Sequence, residues 1–179
     1  KAMKGFTSGQ VKVLPPDVFE RMHPDQFKNL DSKAMEGFTP GQVKVLPPEV
    51  FEEMRPDQFK NLDSKAVEGF TPGQVKVLPP EVFEEMRPDQ FKNLDSKAVG
   101  VFSSEQLAEI PPKVIGKMNP DQFETLPLAA LGGFQPVQVK KMKTDLFRGM
   151  APQAFAEINP DAFAGVSPNK FNALHEALE

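Results

Sequence analysis

Residues 39–70 read TPGQVKVLPPEVFEEMRPDQFKNLDSKAVEGF, and the thirty-two residues that follow begin with the same letters. The stretch divides into four octads, and three of them carry proline in the first or second place. Proline is tolerated at the first position of an α-helix but breaks the helix interior. Proline at this spacing therefore predicts a series of short helices of equal length instead of one long helix.

The octad register extends through almost the whole chain. From Thr7 to Leu174 there are 21 octads without insertion or deletion, which we number from octad 1 (residues 7–14) to octad 21 (residues 167–174). Every Phe and Met falls in the fifth or eighth place, and every Pro falls in the first or second. This segregation persists where the letters themselves have diverged, so the octad is the structural unit.

One repeat array is expected to occupy residues 1–179. Residues 1–98 form near-identical 32-residue copies, and residues 99–174 form diverged octads. We interpret residues 175–179 as a tail, with residues 178–179 either a vector-derived scar or a natural helix end. The first residues match the end of a copy, so we expect the chain to be a fragment of a longer array.

The polar places of each octad predict helix caps. Thr39 followed three places later by Gln42 fits a capping box, in which each residue binds the backbone of the other. Asp63 in a first place predicts a cap by a carboxylate. Acidic third-place residues such as Asp57 and Glu49 favour a helix N-terminus. Each octad is thus expected to hold a helix of about six residues followed by a corner.

The fifth and eighth places predict the core, because residues three apart lie on one face of a helix. A helix this short is unstable alone in water, so its apolar face must pack against other octads. We therefore predict an all-α fold: a right- or left-handed α-solenoid (superhelix) of short Pro-started helices, one per 8-residue repeat, with a 32-residue super-repeat. Four octads per turn would explain that period, and gene duplication alone would explain it equally well.

Composition narrows the function classes. The chain has no Cys, which excludes disulfides and thiolate chemistry, and its net charge of −4 argues against a nucleic-acid partner. No run of about twenty apolar residues is present, so we expect no membrane insertion.

The run PPEVFEEMRPDQFKNLDS resembles the octads of the mesothelin and stereocilin family. The resemblance is carried by Pro48 and Pro56, the same proline in the next copy (Pro88), and the apolar pairs Phe51, Met54, Phe59 and Leu62. It implies superhelical arrays of short helices and a link to adhesion at the cell surface. The chain departs from that family in lacking Cys and N-x-S/T sites, and its near-identical copies look more like the tandem repeats of a large microbial surface protein.

Candidate catalytic residues are scarce. His23 stands where sister copies carry Arg55 and Arg87, which indicates an exposed corner residue, and His175 lies in the tail. A nucleophile and base cannot be assembled from this set. We therefore predict no enzyme, no catalytic, cofactor-binding or metal residues, no cofactor and no small-molecule substrate.

Two polar ladders have a binding interpretation and a structural one. Aspartates at 32-residue spacing would supply oxygen ligands for Ca²⁺ or would cap helices, and the capping interpretation is preferred for Asp25, Asp57, Asp89, Asp121, Asp31, Asp63 and Asp95. Glutamines in the fourth place of alternate octads would bind partners along one side or would complete capping boxes. Capping is again preferred for Gln10, Gln42, Gln58, Gln74, Gln90, Gln106 and Gln122.

The function expected from these features is a non-catalytic structural or spacer region of a larger protein, extracellular or on the cell surface, with adhesion as a further role. The alternative is a protein- or peptide-binding solenoid scaffold, natural or designed. Lys143-Thr144 in place of a proline corner, and Gly132-Gly133 interrupting a helix, indicate natural drift. A protein partner or self-association is expected in either case.

Overall fold

The computed structural model describes the backbone of residues 5–178 and the side chains of residues 5–175. Each of the 21 octads in this part of the chain holds one helix, and the described residues contain no strand. The all-α prediction and the prediction of one short helix per octad are confirmed. The suggestion of a scar at residues 178–179 includes Glu179, which lies outside the described residues.

The helices alternate between two types. The α-helices are Ser8–Val13, Pro24–Lys28, Pro40–Val45, Pro56–Asn61, Pro72–Val77, Pro88–Asn93, Ser96–Val99, Ser104–Glu109, Pro112–Ile115, Pro120–Glu124, Pro136–Val139, Thr144–Arg148, Pro152–Glu157 and Pro168–Leu178. The 3₁₀ helices are Pro16–Val18, Ser32–Gly37, Pro48–Phe51, Ala66–Gly69, Pro80–Glu85, Leu128–Gly133 and Pro160–Phe163. All odd-numbered octads are α-helical, and most even-numbered octads are 3₁₀.

Side-chain capping accounts for much of this alternation. In octad 5 the hydroxyl of Thr39 accepts from Gln42 N at 3.3 Å, and Val43 N donates to Thr39 O at 3.0 Å, which is an α-helical bond. Octad 6 begins with Pro47, which has no side-chain acceptor, and Val50 N donates to Pro47 O at 3.1 Å, which is a 3₁₀ bond. The tighter 3₁₀ turn thus occurs in an octad that has neither a first-place side-chain acceptor nor a fourth-place glutamine.

Helices pack on helices three octads away. This spacing holds for every pair of closely packed elements in the described part of the chain, such as octad 1 with octad 4 and octad 7 with octad 10. Four octads per turn, which the sequence period suggested, stays a prediction, and helix-on-helix packing itself relates octads three apart. Many octads end in an extended residue such as Leu46, with φ −62° and ψ 134°, which turns the chain into the next helix.

The core contains the fifth and eighth places as predicted, and the fourth place as well. Almost all fifth- and eighth-place side chains are buried, apart from a few in the first and last octads. The fourth-place Val, Ala and Gln side chains are also buried through the middle of the chain. Nine phenylalanines form one continuous line of ring contacts, with centroids 5.1–6.4 Å apart, in the order Phe19, Phe38, Phe27, Phe51, Phe70, Phe59, Phe83, Phe102 and Phe91.

A seventh-place glycine permits the closest backbone approach between octads. A Cβ added to Gly69 would lie 2.1 Å from Pro40 O, and one added to Gly133 would lie 2.0 Å from Ser104 O. Gly133 therefore ends a 3₁₀ helix and packs against octad 13. The interpretation that Gly132-Gly133 interrupts a helix is wrong.

None of the helices in the described residues combines the length and the apolar character needed to cross a membrane.

Candidate functional site

The most regular polar arrangement in the molecule is a row of buried fourth-place glutamines. The Nε2 atom of Gln58 donates to Phe27 O at 2.9 Å and to Leu30 O at 3.2 Å, and its Oε1 accepts from Arg55 N at 3.0 Å. The same three bonds recur in each of the six buried glutamines, which are Gln42, Gln58, Gln74, Gln90, Gln106 and Gln138.

Each buried glutamine thus joins its own octad to the octad four octads earlier in the chain. Its acceptor oxygen caps its own helix, and its two N–H bonds reach carbonyls 31 and 28 residues earlier. A buried amide is stable when both its donors and its acceptor are paired, and no described buried side-chain nitrogen or oxygen lacks a partner. Glutamine suits this place because glutamate has no amide donors and asparagine is shorter.

The capping interpretation of the glutamines is confirmed, and the partner-binding interpretation fails for the buried ones because no partner can reach them. Gln10 is exposed and makes the capping bond alone. The bonds between octads were not anticipated from the sequence. A signal for them was present, because Val and Ala fill the same place in even octads and mark it as a buried position.

First-place arginines form a second link across four octads. Arg55 Nε donates to Asp57 Oδ1 at 3.0 Å, its Nη1 donates to Lys28 O, and its Nη2 donates to Leu30 O at 3.4 Å. Arg87 repeats these contacts one copy later with Asp89 and the carbonyls of octad 7. Burial opposes ionisation of Asp89, but the hydrogen bonds and charge of Arg87 outweigh it and lower the pKa of Asp89.

Ion pairs follow the three-octad spacing. Lys28 Nζ lies 2.6 Å from Glu53 Oε2, and Lys60 Nζ lies 2.9 Å from Glu85 Oε2. The hydrogen bond to Glu53, together with its negative charge, raises the pKa of Lys28. Both pairs are about half exposed, so solvent screens them and they contribute little to stability.

These links change together between octads 11 and 15. The residue that would pair with Lys92 is Lys117 and not a glutamate, and the first-place arginine is replaced by Asn119. Gln122 is only half-buried and donates one bond between octads, to Phe91 O at 3.4 Å. The diverged half of the chain therefore begins with a weaker junction than those within the copies.

The last octad contains a substitute for the glutamine. Lys170 occupies the fourth place, and its Nζ donates to Lys140 O at 2.7 Å while lying 5.7 Å from the centre of the Phe147 ring. Burial and the nearby charge of Lys141 lower the pKa of Lys170.

The two histidines lie in different parts of the chain. His23 is exposed at the start of octad 3 and its Nδ1 accepts from Asp25 N at 3.4 Å, so the prediction of a corner residue is confirmed. His175 follows octad 21 and is exposed.

The aspartate ladder consists of caps and ion pairs. First-place aspartates accept from the amide two residues on, as Asp63 Oδ1 does from Lys65 N at 2.8 Å. Third-place Asp57 and Asp89 pair with Arg55 and Arg87. No group of three or more His, Asp or Glu side chains in the described residues is arranged to hold a metal ion.

Comparison with known proteins assigns the chain to no family, because neither a family model nor a curated protein sequence matches it.

Proposed function

We propose that the chain is a non-catalytic structural spacer, built as an α-solenoid whose consecutive turns are tied together by the buried glutamines. The observation that carries this proposal is the recurrence of the Gln58 bonding pattern in alternate octads along the middle of the chain. A bond of this kind ties an odd-numbered octad to the octad four octads earlier, and the next glutamine-bearing octad can do the same. Such an arrangement has no natural limit to its length, which is the property a spacer requires.

Two spacings support the solenoid. Helix packing relates octads that are three apart, and glutamine bonds relate octads that are four apart. Both follow from a chain that coils once in three to four octads, so that one octad lies between two octads of the preceding turn. Phe27 and Phe51, three octads apart with ring centroids at 5.4 Å, would then stack along the interior of the coil.

The proposal extends to location and assembly. A spacer of near-identical copies suits a larger protein that projects from a cell or is secreted, and adhesion through contacts between arrays is the further role. The exposed surface favours neither sign of charge, because acidic third- and sixth-place residues alternate with lysines along the copies.

The test is to lengthen the array and measure its dimensions. Chains carrying one, two and three additional copies of residues 33–64 should increase in maximum dimension by a constant step in small-angle X-ray scattering. A maximum dimension that grows only as the cube root of chain length would overturn the solenoid. Sedimentation velocity over a wide concentration range would show whether the arrays also associate, with growth in mass supporting adhesion through self-association.

A protein- or peptide-binding scaffold is the second candidate. It is favoured by the junction between octads 11 and 15, where Lys117 and Asn119 replace residues that link octads elsewhere. The two functions are compatible, because a spacer can carry one specialised turn.

A further inference from the structure

A pocket of about 440 Å³ opens at the junction between octads 11 and 15. Its walls include Lys92 from octad 11, Lys117 from octad 14, Asn119 and Gln122 from octad 15, and Lys143 from octad 18. Three lysines thus surround one opening, although the chain as a whole has a net charge of −4. A cleft lined by one sign of charge concentrates ligands of the opposite sign.

Two of the three lysines in this pocket, Lys117 and Lys143, depart from the repeat. Residue 117 follows Lys92 by the same 25 residues that separate Lys28 from Glu53 and Lys60 from Glu85. Lysine at residue 117 therefore replaces a carboxylate with an ammonium group. Lys143 stands at a first place that proline occupies one and two copies earlier in the register, at Pro111 and Pro79.

In the pocket wall, Asn119 stands where the two preceding copies have an arginine. Arg55 and Arg87 each extend across the preceding octads to carbonyls 27 and 25 residues earlier. Asn119 instead caps its own helix, with Oδ1 accepting from Gln122 N at 2.8 Å. No arginine side chain therefore extends from the first place of octad 15 to the carbonyls of octad 11.

The three lysines of this pocket differ from Lys28 and Lys60 in their partners. No ion pair joins Lys92, Lys117 or Lys143 to an acidic side chain in the part of the chain that the structure describes. The carboxylate in the pocket wall is that of Asp89, which pairs with Arg87 Nε at 3.2 Å. Three positive charges are therefore available to a ligand.

We infer that this pocket binds a carboxylate-bearing ligand, specifically an acidic segment of a partner protein. Carboxylate is the chemistry that neutralises the equivalent lysine in both earlier copies, through Glu53 and Glu85. Three separate ammonium groups require more than one carboxylate, which an acidic peptide supplies from neighbouring side chains. The inference goes beyond the spacer function and does not depend on it, because binding requires one turn and not an extended array.

The experiment is fluorescence anisotropy with a labelled hexaglutamate peptide and the full chain. Lys117→Glu restores the ion pair of the earlier copies and should weaken binding about tenfold or more, because it removes one attractive charge and adds a repulsive one. Lys76→Glu makes the same charge change on an exposed lysine of octad 9, outside the pocket, and should leave binding unchanged. Equal weakening by the two variants would overturn the pocket and indicate general attraction.

Asn119→Arg separates the pocket from simple charge. The arginine should fill the cleft as Arg87 does and weaken peptide binding, although it adds a positive charge. Tighter binding by this variant would overturn the inference. Circular dichroism of each variant checks that the helices are retained.

Competition identifies the ligand class. Failure of hexaglutamate to bind at all would overturn the inference. If citrate displaces the peptide only at a much higher concentration, the result supports an acidic segment of a partner protein. If citrate binds as tightly as the peptide, the ligand is a free polycarboxylate and the peptide assignment is overturned. Displacement by inorganic phosphate as readily as by citrate would overturn selectivity for carboxylates. The spacer function is tested separately by the scattering series, so either proposal can fail without the other.

Discussion

At the scale of single residues, Gln58 shows how one side chain links two distant octads. It is fully buried and pairs with Arg55 N, Phe27 O and Leu30 O. Gln58→Ala removes all three bonds: Arg55 N loses its acceptor, whereas Phe27 O keeps the bond from Leu30 N and Leu30 O keeps the bond from Arg55 Nη2. We expect the free energy of unfolding to fall by about 2–4 kcal/mol, the scale of three lost hydrogen bonds at about 1 kcal/mol each. Urea denaturation followed by circular dichroism measures the change.

Gln10→Ala is the matched control for that substitution. Gln10 occupies the same place in octad 1 but is exposed and caps only its own helix. Its replacement should lower the free energy of unfolding by about 1 kcal/mol or less, the usual scale of a lost cap. Equal losses in the two variants would show that the bonds between octads contribute nothing.

Gly69 tests the close approach between octads. A Cβ at this residue would lie 2.1 Å from Pro40 O, so Gly69→Ala must push two backbone segments apart. We expect a loss of about 2–3 kcal/mol, as for other overpacked cores. Gly73→Ala is the control, because its nearest neighbour would be 3.9 Å away, and alanine in a helix should stabilise the chain by about 0.5–1 kcal/mol. A neutral Gly69→Ala variant in thermal or urea unfolding would contradict the packing.

The sequence predicted the role of each place within an octad better than it predicted the contacts between octads. Caps at Thr39 and Asp63 and the burial of the fifth and eighth places depend on residues within one octad, so local rules were sufficient. The bonds of Gln58 and the need for Gly69 depend on which octads become neighbours. That choice is made by small angles at each corner, which add up over several octads and have no signature in a single octad.

At the scale of the helix, the first-place carbonyl determines the type of turn. It accepts from the fifth-place amide in every octad that has a fourth-place glutamine, and often only from the fourth-place amide elsewhere. The sequence predicted short helices but did not distinguish α from 3₁₀, because proline starts both types. The alternation of Gln with Val or Ala in the fourth place was the signal that separated most of them.

The proline itself is expected to matter less than its spacing suggests. Pro56 is the first residue of its helix, where an N–H has no intrahelical partner, and Gln58 Oε1 still caps Arg55 N at 3.0 Å. Pro56→Ala should therefore lower the free energy of unfolding by only about 0.4–1 kcal/mol, through the greater freedom of the unfolded chain. Chemical denaturation is the measurement.

The matched control adds a second proline to the interior of the same helix. Lys60→Pro places the ring in the helix interior, where it removes a backbone bond and clashes with the preceding turn, with an expected loss of about 3 kcal/mol. Lys60→Ala corrects for the lost ion pair with Glu85. A collapse of the fold in Pro56→Ala would show that the corner depends on the proline ring and not on the cap.

At the scale of the whole molecule, the 32-residue period is explained by two spacings together: helix packing between octads three apart and glutamine bonds between octads four apart. The glutamine bonds join odd-numbered octads that are four octads apart. The approach of Gly69 to Pro40 joins an even-numbered octad that has a seventh-place glycine to the odd-numbered octad three octads earlier. A deletion of four octads preserves both relations, whereas a deletion of two octads preserves the glutamine alternation but misplaces the glycine.

This difference predicts an order of stability in a deletion series. Removal of residues 33–64 should leave a folded chain whose urea midpoint falls only slightly, since repeat arrays lose stability roughly in proportion to the units removed. Removal of residues 49–64 should lower the urea midpoint more, because Gly69 would then face the first residues of octad 3 instead of those of octad 5. Removal of residues 57–64 should destabilise most, because glutamine octads beyond the deletion would reach carbonyls of even octads, and the odd–even packing of helices would be lost. If the urea midpoint instead followed only the number of residues removed, the 32-residue period would reflect duplication alone and the two linked spacings would have no part in specifying the fold.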